Sequence, residues 1–424
     1  MHYKIKKIIL LMSISTLVFG QSFFNRYYGD EVFPESGRSL AMGGTNMITD
    51  YSSSLSLNNP AGLSSGESGF SANLLYHGSS ILERRGFPMQ DIFGDFLEYG
   101  DYVANRNFHG DLNGGFIYRT GSDSIRYAFG LNKGEFVSFD YQYEEEVRGS
   151  ERFDDGILGI RDPILGYHIY DVGGNLDMVS YGASIGWYFG RESLSFGFGY
   201  HSVSGCNLME SWSVEELNDI DGYLSDIPSF DWITQIDDGD FHSMSVEFGY
   251  YNFKIAVAAD SRLNMEKSWD DLEVIPDELD DLFMNLVPSP FVRPERRRLG
   301  INYNVLTGTP MNLAFQVEEI EATEYYEKVM EWKFGFEYIA LGEFPVRAGY
   351  IFRETPSVDS GPESIFTFGT GKTFHRLALD VAGTYMVNSY QYPDLFEVEG
   401  DIRPDYDTVN ESRFNFTASI QYQF

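Results

Sequence analysis

The last thirteen residues, "SRFNFTASIQYQF" (412–424), decide the fold. Phe414, Phe416, Ala418, Ile420, Tyr422 and Phe424 take one set of alternate positions; Arg413, Asn415, Thr417, Ser419, Gln421 and Gln423 take the other. Successive side chains of a β-strand point to opposite faces, so this stretch has one apolar and one polar face. The pattern returns at Val179, Tyr181, Ala183, Ile185 and Trp187, and again at Met244, Val246, Phe248 and Tyr250. It recurs at Trp332, Phe334, Phe336 and Tyr338, and at Leu377, Leu379, Val381 and Tyr385. A soluble sandwich also alternates. It does not place aromatics so consistently on the apolar face while collecting glycine and charge on the other. A wall with lipid on one side and a polar lumen on the other does.

Fourteen such segments can be counted, near 69–79, 109–120, 124–133, 178–189, 192–203, 241–251, 253–261, 296–305, 310–318, 329–340, 344–353, 363–371, 374–386 and 412–424. Short links such as "TGSD" (120–123), "FGRE" (189–192) and "YYN" (250–252) alternate with long ones such as 134–177, 204–240 and 262–295. That alternation matches periplasmic turns and extracellular loops. The expected fold is therefore all-β: a transmembrane antiparallel β-barrel of about fourteen strands over residues 69–424.

Composition agrees. Aromatics make up 16% of the chain and there are 43 glycines, yet no run of 18 apolar residues suggests a helical span. Residues 1–20 read as a signal peptide: Lys4, Lys6 and Lys7 precede an apolar stretch, and Val18 and Gly20 suit cleavage before Gln21. No cysteine lies there, which excludes lipoprotein processing, and the lone Cys206 cannot form an intramolecular disulfide. The formal charge of −34, or −37 without those three lysines, excludes nucleic acid as a partner. Much of the acid lies in the long links. Segment 204–240 holds ten Asp and Glu and no Lys or Arg, and "DDLEVIPDELDD" (270–281) could form an acidic helix. Solvated loops explain this without a cation site. "RPERRRLG" (293–300) puts Arg296 and Arg298 on one face and Arg297 on the other. Salt bridges to acidic groups are the expected use, with lipopolysaccharide phosphates the alternative.

Enzyme motifs do not survive inspection. "GASIG" (182–186) fits G-x-S-x-G, but Ser184 lies inside an alternating strand without the strand-to-helix turn that exposes a nucleophile. "GTGKT" (369–373) resembles a phosphate loop, but Phe366 stands where its first glycine belongs. His201 and His242 flank one long loop without further ligands at metal spacing. The expectation is no catalytic residue, no metal and no cofactor.

Residues 21–68 are rich in small residues and are not strand-like. A barrel of about fourteen strands has a lumen too wide for its own side chains to fill, so this segment is expected to form an N-terminal plug. Within it, "GRSLAMGG" (37–44) followed by "NNPAGLS" (58–64) resembles the hatch signature of the FadL-type long-chain fatty-acid transporters. By position, Asn59, Pro60, Ala61 and Gly62 match the Asn-Pro-Ala box, and Arg38, Met42, Gly43 and Gly44 match the upstream element. The resemblance implies an outer-membrane barrel for passive uptake of long-chain fatty acids or other hydrophobic compounds. The same pattern is similar to that of PorV-type barrels, which implies the alternative of a shuttle or assembly partner for secreted proteins. Asn59 is expected to cap a short turn that begins at Pro60.

Inward charges such as Arg119, Arg126, Glu247, Lys254, Asp260, Arg347 and Asp380 argue against an apolar channel through the wall. A hydrophobic ligand site is instead expected from loop residues Phe230, Trp232, Leu282, Phe283 and Met284. Tyr422 and Phe424 end the last strand on its lipid face and resemble the signal read by the barrel-assembly machinery. Outer-membrane lipid and lipopolysaccharide are the surroundings this fold implies.

Overall fold

A computed structural model describes residues 29–424 except 33–34, 91–92, 94–95, 149–152, 155–159, 162–163, 218–229, 270–289, 306–309, 324–326, 341–343, 355–361 and 394–405. The signal-peptide assignment and the acidic stretch 270–281 lie outside these residues.

Fourteen antiparallel strands close on themselves: β1 Gly69–Gln90, β2 Phe96–Gly121, β3 Ile125–Ser138, β4 Asn175–Phe189, β5 Glu192–Ser204, β6 Gly239–Tyr250, β7 Phe253–Asp260, β8 Arg296–Val305, β9 Met311–Ile320, β10 Val329–Ala340, β11 Phe344–Arg353, β12 Glu363–Phe374, β13 Leu377–Pro393 and β14 Tyr406–Gln423. Each pairs with its neighbour in sequence, and β1 pairs with β14 from Ser71↔Gln423 to Gly86↔Thr408. All fourteen segments read from the sequence are wall strands. The structure extends several of them, above all β1, β2, β13 and β14, beyond the alternating core.

The alternation has its expected cause. In β14, Phe414, Phe416, Ile420 and Tyr422 are exposed, whereas Thr417 and Ser419 are buried against the lumen contents. Three tight turns need a left-handed residue, which Gly190, Tyr251 and His375 supply with φ of +66°, +57° and +53°. Ser184 lies mid-strand in β4, opposite Gly197 and Ala128, and "GTGKT" lies at the end of β12. His201 is buried in the lumen and donates to or accepts from Ser243, while His242 faces outward beside Phe198 and Tyr200. The two imidazoles are therefore on opposite faces of the wall and cannot share a metal.

The long links on one side build a second, five-stranded sheet in the order Lys267–Trp269, Phe230–Ile236, Cys206–Glu216, Ile164–Gly173 and Tyr141–Arg148. Reading these links as loops missed this sheet. The arginine triplet resolves into ion pairs, as expected. Arg297 faces outward to Glu295, Glu319 and Glu321, Arg296 meets Glu31 at 2.5 Å and Glu318 at 3.5 Å, and Arg298 binds Asp260.

Candidate functional site: a plugged lumen beneath an apolar cluster

The segment before β1 folds as four short pieces: α1 Gly37–Ala41, α2 Asn46–Thr49, α3 Leu55–Asn58 and a 3-10 turn at Pro60–Ser64. They are too short to be stable alone, and the barrel holds them. Their polar groups bond to lumen-facing side chains around the wall. Ser53 N–H donates to Asn73 of β1 (2.9 Å), Ala61 N–H to Ser245 of β6 (2.8 Å) and Met47 N–H to Gln316 of β9 (3.2 Å). Gly43 N–H donates to Thr367 of β12 (2.9 Å), and Gly37 N–H to Ser419 of β14 (3.1 Å). This is the expected plug.

Each half of the motif has a separate seat. Arg38 makes a two-pronged bond to Glu337 of β10, at 2.8 and 3.2 Å, and Glu337 also accepts from Arg347 at 2.6 Å. Arg347 reaches on to Asp380 at 2.6 Å, and this chain borders a polar cavity of about 360 Å³ that includes Tyr51. Met42 is fully buried, and Gly43 and Gly44 adopt left-handed φ of +70° and +64°. A Cβ on Gly43 would sit 2.2 Å from the Phe334 carbonyl oxygen, so only glycine lets the plug backbone touch β10 here.

Pro60 opens the 3-10 turn, and Ala61 is fully buried. The wall yields to them at Gly197 of β5, where a Cβ would lie 2.0 Å from the Ala61 nitrogen. Gly62 packs over Asn59 and Glu247. Asn59 departs from expectation. Its side chain makes no capping bond; its amide donates to the Met47 carbonyl (2.7 Å) and to Glu247 of β6 (3.0 Å). It ties α2, the turn and the wall together instead. Proline at the turn's first position already removes one donor that a cap would serve.

Most of the inward charges hold the plug, while Asp260 pairs with Arg293 and Arg298. Arg119 donates to the Leu63 carbonyl at 2.7 Å, Arg126 to the Gly66 carbonyl, and Glu247 accepts from Ser65 (2.9 Å) and Lys254 (3.2 Å). Buried charges persist where pairing offsets their desolvation. Above the plug, β9 to β11 carry a further ladder, Glu318–Lys333 (3.4 Å), Lys333–Glu331 (3.5 Å) and Glu331–Arg353 (3.1 Å).

An apolar cluster occupies the lumen beside β3 to β6, with the buried Arg293–Asp260 pair at its edge against Phe241. Phe136, Met178 and Phe241 from the wall pack with Tyr170, Trp212 and Trp232 of the outer sheet, and the cluster reaches down to Leu57 of α3. Trp232 is buried there, 6.2 Å from Tyr170. Phe230 begins the same strand opposite Trp212. Leu282, Phe283 and Met284 lie outside the described residues. The sequence reading overlooked Phe136, Phe139, Phe241 and Phe291. A signal was present: "FVSF" (136–139) breaks strict alternation, and β3 carries a bulge between Glu135 and Val137.

That bulge marks a gap in the wall. β2 and β3 pair from Gly121↔Arg126 to Gly114↔Lys133 and no further. Beyond, the free edge of β3 pairs with Asp30–Glu31 of the N-terminal segment. Glu31 and Asp30 in turn reach Arg296 (2.5 Å) and Arg413 (3.5 Å) across the lumen.

A closed fourteen-stranded barrel of this topology has counterparts among solved structures. A FadL homologue from Pseudomonas aeruginosa superimposes with a TM-score of 0.57 over 93% of this chain and 100% of its own, at 12% identity. The fold is that of the FadL-type barrels. The toluene transporter TodX of P. putida gives a TM-score of 0.50 over 94% of this chain and 99% of its own, also at 12% identity. No family model matches the chain, and no curated protein matches it in sequence. Tyr422 and Phe424 lie exposed at the β14 end, their rings 4.8 Å apart, with Phe424 also 5.3 Å from Phe70 across the β1–β14 seam.

Proposed function

We propose that the protein is an outer-membrane channel for passive uptake of hydrophobic compounds, such as long-chain fatty acids or hydrocarbons, in a Gram-negative-type envelope. One observation carries this reading: the aromatic cluster lies directly above the plug and directly beside the gap. On β3, Phe136 and Val137 belong to the cluster while Gly134 and Glu135 border the gap; on β4, Leu176 and Met178 alternate in the same way with Asp177. A ligand captured between the outer sheet and Leu57 would leave sideways into the membrane past Glu135 and Asp177. No catalytic step is required. The apolar cluster favours uptake over the PorV-like alternative, which does not call for one; the plug is common to both readings. The surrounding lipid and lipopolysaccharide, and the assembly machinery that would read Tyr422 and Phe424, complete the partners of this reading. The test is uptake of labelled hydrocarbon and fatty acid by cells lacking their own hydrophobic channel. Expression of the protein should raise uptake of at least one probe several-fold; no rise with folded barrel in the outer membrane would overturn the proposal.

A further inference from the structure

The gap between β2 and β3 has a chemistry of its own. Beyond Lys133, β3 turns into the lumen, so that Glu135 meets the lumen-side His109 of β2, with Oε1 3.1 Å from Nε2. Asp140 lies 3.9 Å from the other ring nitrogen. Asn113 of β2 fills the space over Gly134, where a Cβ would lie 1.0 Å from its Oδ1, and its amide donates to Asp111. The remaining cavity measures about 510 Å³ and is bordered by Asp111, Glu135, Asp177, Lys133 and Leu112, with glycines between. Asp111 and Asn113 are 6% and 1% exposed, yet each leaves Oδ1 without a hydrogen-bond partner. The gap therefore offers acceptor oxygens and three carboxylates against one ammonium, Lys133, exposed at the rim, and one imidazole, His109, set against Glu135.

We propose that this gap selects neutral hydrophobic compounds over carboxylate-bearing ones. The proposal rests on the uptake reading above and specifies its substrate class. A carboxylate passing through would meet like charges and unpaired acceptors, which is discrimination by repulsion. A hydrocarbon or a long-chain alcohol meets no such opposition, and an alcohol supplies a donor to Asp111 or Asn113.

The experiment compares uptake of radiolabelled 1-dodecanol and dodecanoate at pH 8 by cells expressing the full-length protein. The wild type should take up dodecanol at least tenfold faster above the background of empty cells. Glu135→Gln/Asp177→Asn should raise the dodecanoate-to-dodecanol ratio at least fivefold, since it removes two of the three carboxylates while keeping side-chain size. Asp111→Asn, which keeps the Asn113 bond, provides a second variant, and heat-modifiable mobility in gels establishes that each barrel is folded. Equal wild-type uptake of both probes, or a ratio unmoved in folded variants, overturns the selectivity while leaving the uptake reading in place. Uptake of neither probe overturns both.

Discussion

Asn59 shows at the scale of one residue how the plug is held. Its amide bridges α2 and β6, and each buried hydrogen bond of this kind is worth about 1 kcal/mol net. Asn59→Ala should free the turn from the wall while barrel closure is untouched. Protease sensitivity of residues 37–64 should rise and uptake should change several-fold, with heat-modifiable mobility as in the wild type. Gly43 and Gly44 offer a controlled contrast. Both have left-handed φ, a conformation that costs an L-residue roughly 1–2 kcal/mol. Only at Gly43 does a Cβ also collide with backbone, 2.2 Å from the Phe334 carbonyl, against 3.5 Å to the nearest atom at Gly44. Gly43→Ala should therefore unseat α1 and accelerate amide exchange there by a larger factor than Gly44→Ala. Glu35 adds a dependence on pH. Burial lifts its carboxyl to about 7, opposed by Lys333. A raised carboxyl pKa means the folded plug holds the proton more tightly, so this contribution is complete below the ordinary value of 4.5 and is lost as pH rises through 7. Exchange protection over 36–44 should fall between pH 5 and pH 8, and Glu35→Gln should flatten the profile.

At the scale of elements, legibility followed the solvent. Wall strands carry lipid on one face and polar plug on the other, so period-two alternation is written into every one of them. The segment Cys206–Glu216 lacks clean alternation, since Glu210 shares the inward face with Leu208 and Trp212 while the other side carries Met209, Ser211, Ser213 and Glu215. Its acidity made it read as a loop, although it is the centre of the outer sheet. The plug was legible as a motif, at Arg38, Met42, Gly43 and Asn59 to Gly62, but its partners were not. Glu337 lies 299 positions from Arg38 and Glu247 lies 188 from Asn59, separations that only barrel closure brings together. The outer sheet's dependence on its aromatic contacts can be tested at Trp232. Large aromatic-to-alanine changes in a core cost about 3–5 kcal/mol. Trp232→Ala should raise amide exchange in 164–173 and 206–216 and weaken ligand capture, while the melting of the wall stays near that of the wild type.

For the whole molecule, the decisive junction is the seam where the last strand meets the first. Phe424 N–H donates to the Phe70 carbonyl at 2.9 Å, and the Phe424 ring, 62% exposed, lies against Phe70 and Tyr422 on the lipid face. Two roles are compatible with this position, a rivet for the seam and a tag read during assembly, and they separate by experiment. Phe424→Leu keeps the backbone bond and most of the apolar surface, so a rivet alone predicts nearly normal yield with a slightly lower melting temperature. Recognition of a terminal aromatic predicts the reverse, a several-fold loss of folded protein in the outer membrane and normal melting of whatever inserts. We expect the second outcome. The seam is already secured by the β1–β14 ladder, which runs sixteen residue pairs from Ser71 to Gly86, so one ring adds little to its strength. Normal yield from Phe424→Leu, measured by heat-modifiable mobility in isolated outer membranes, would leave the terminal aromatic as an ordinary member of the lipid-facing girdle.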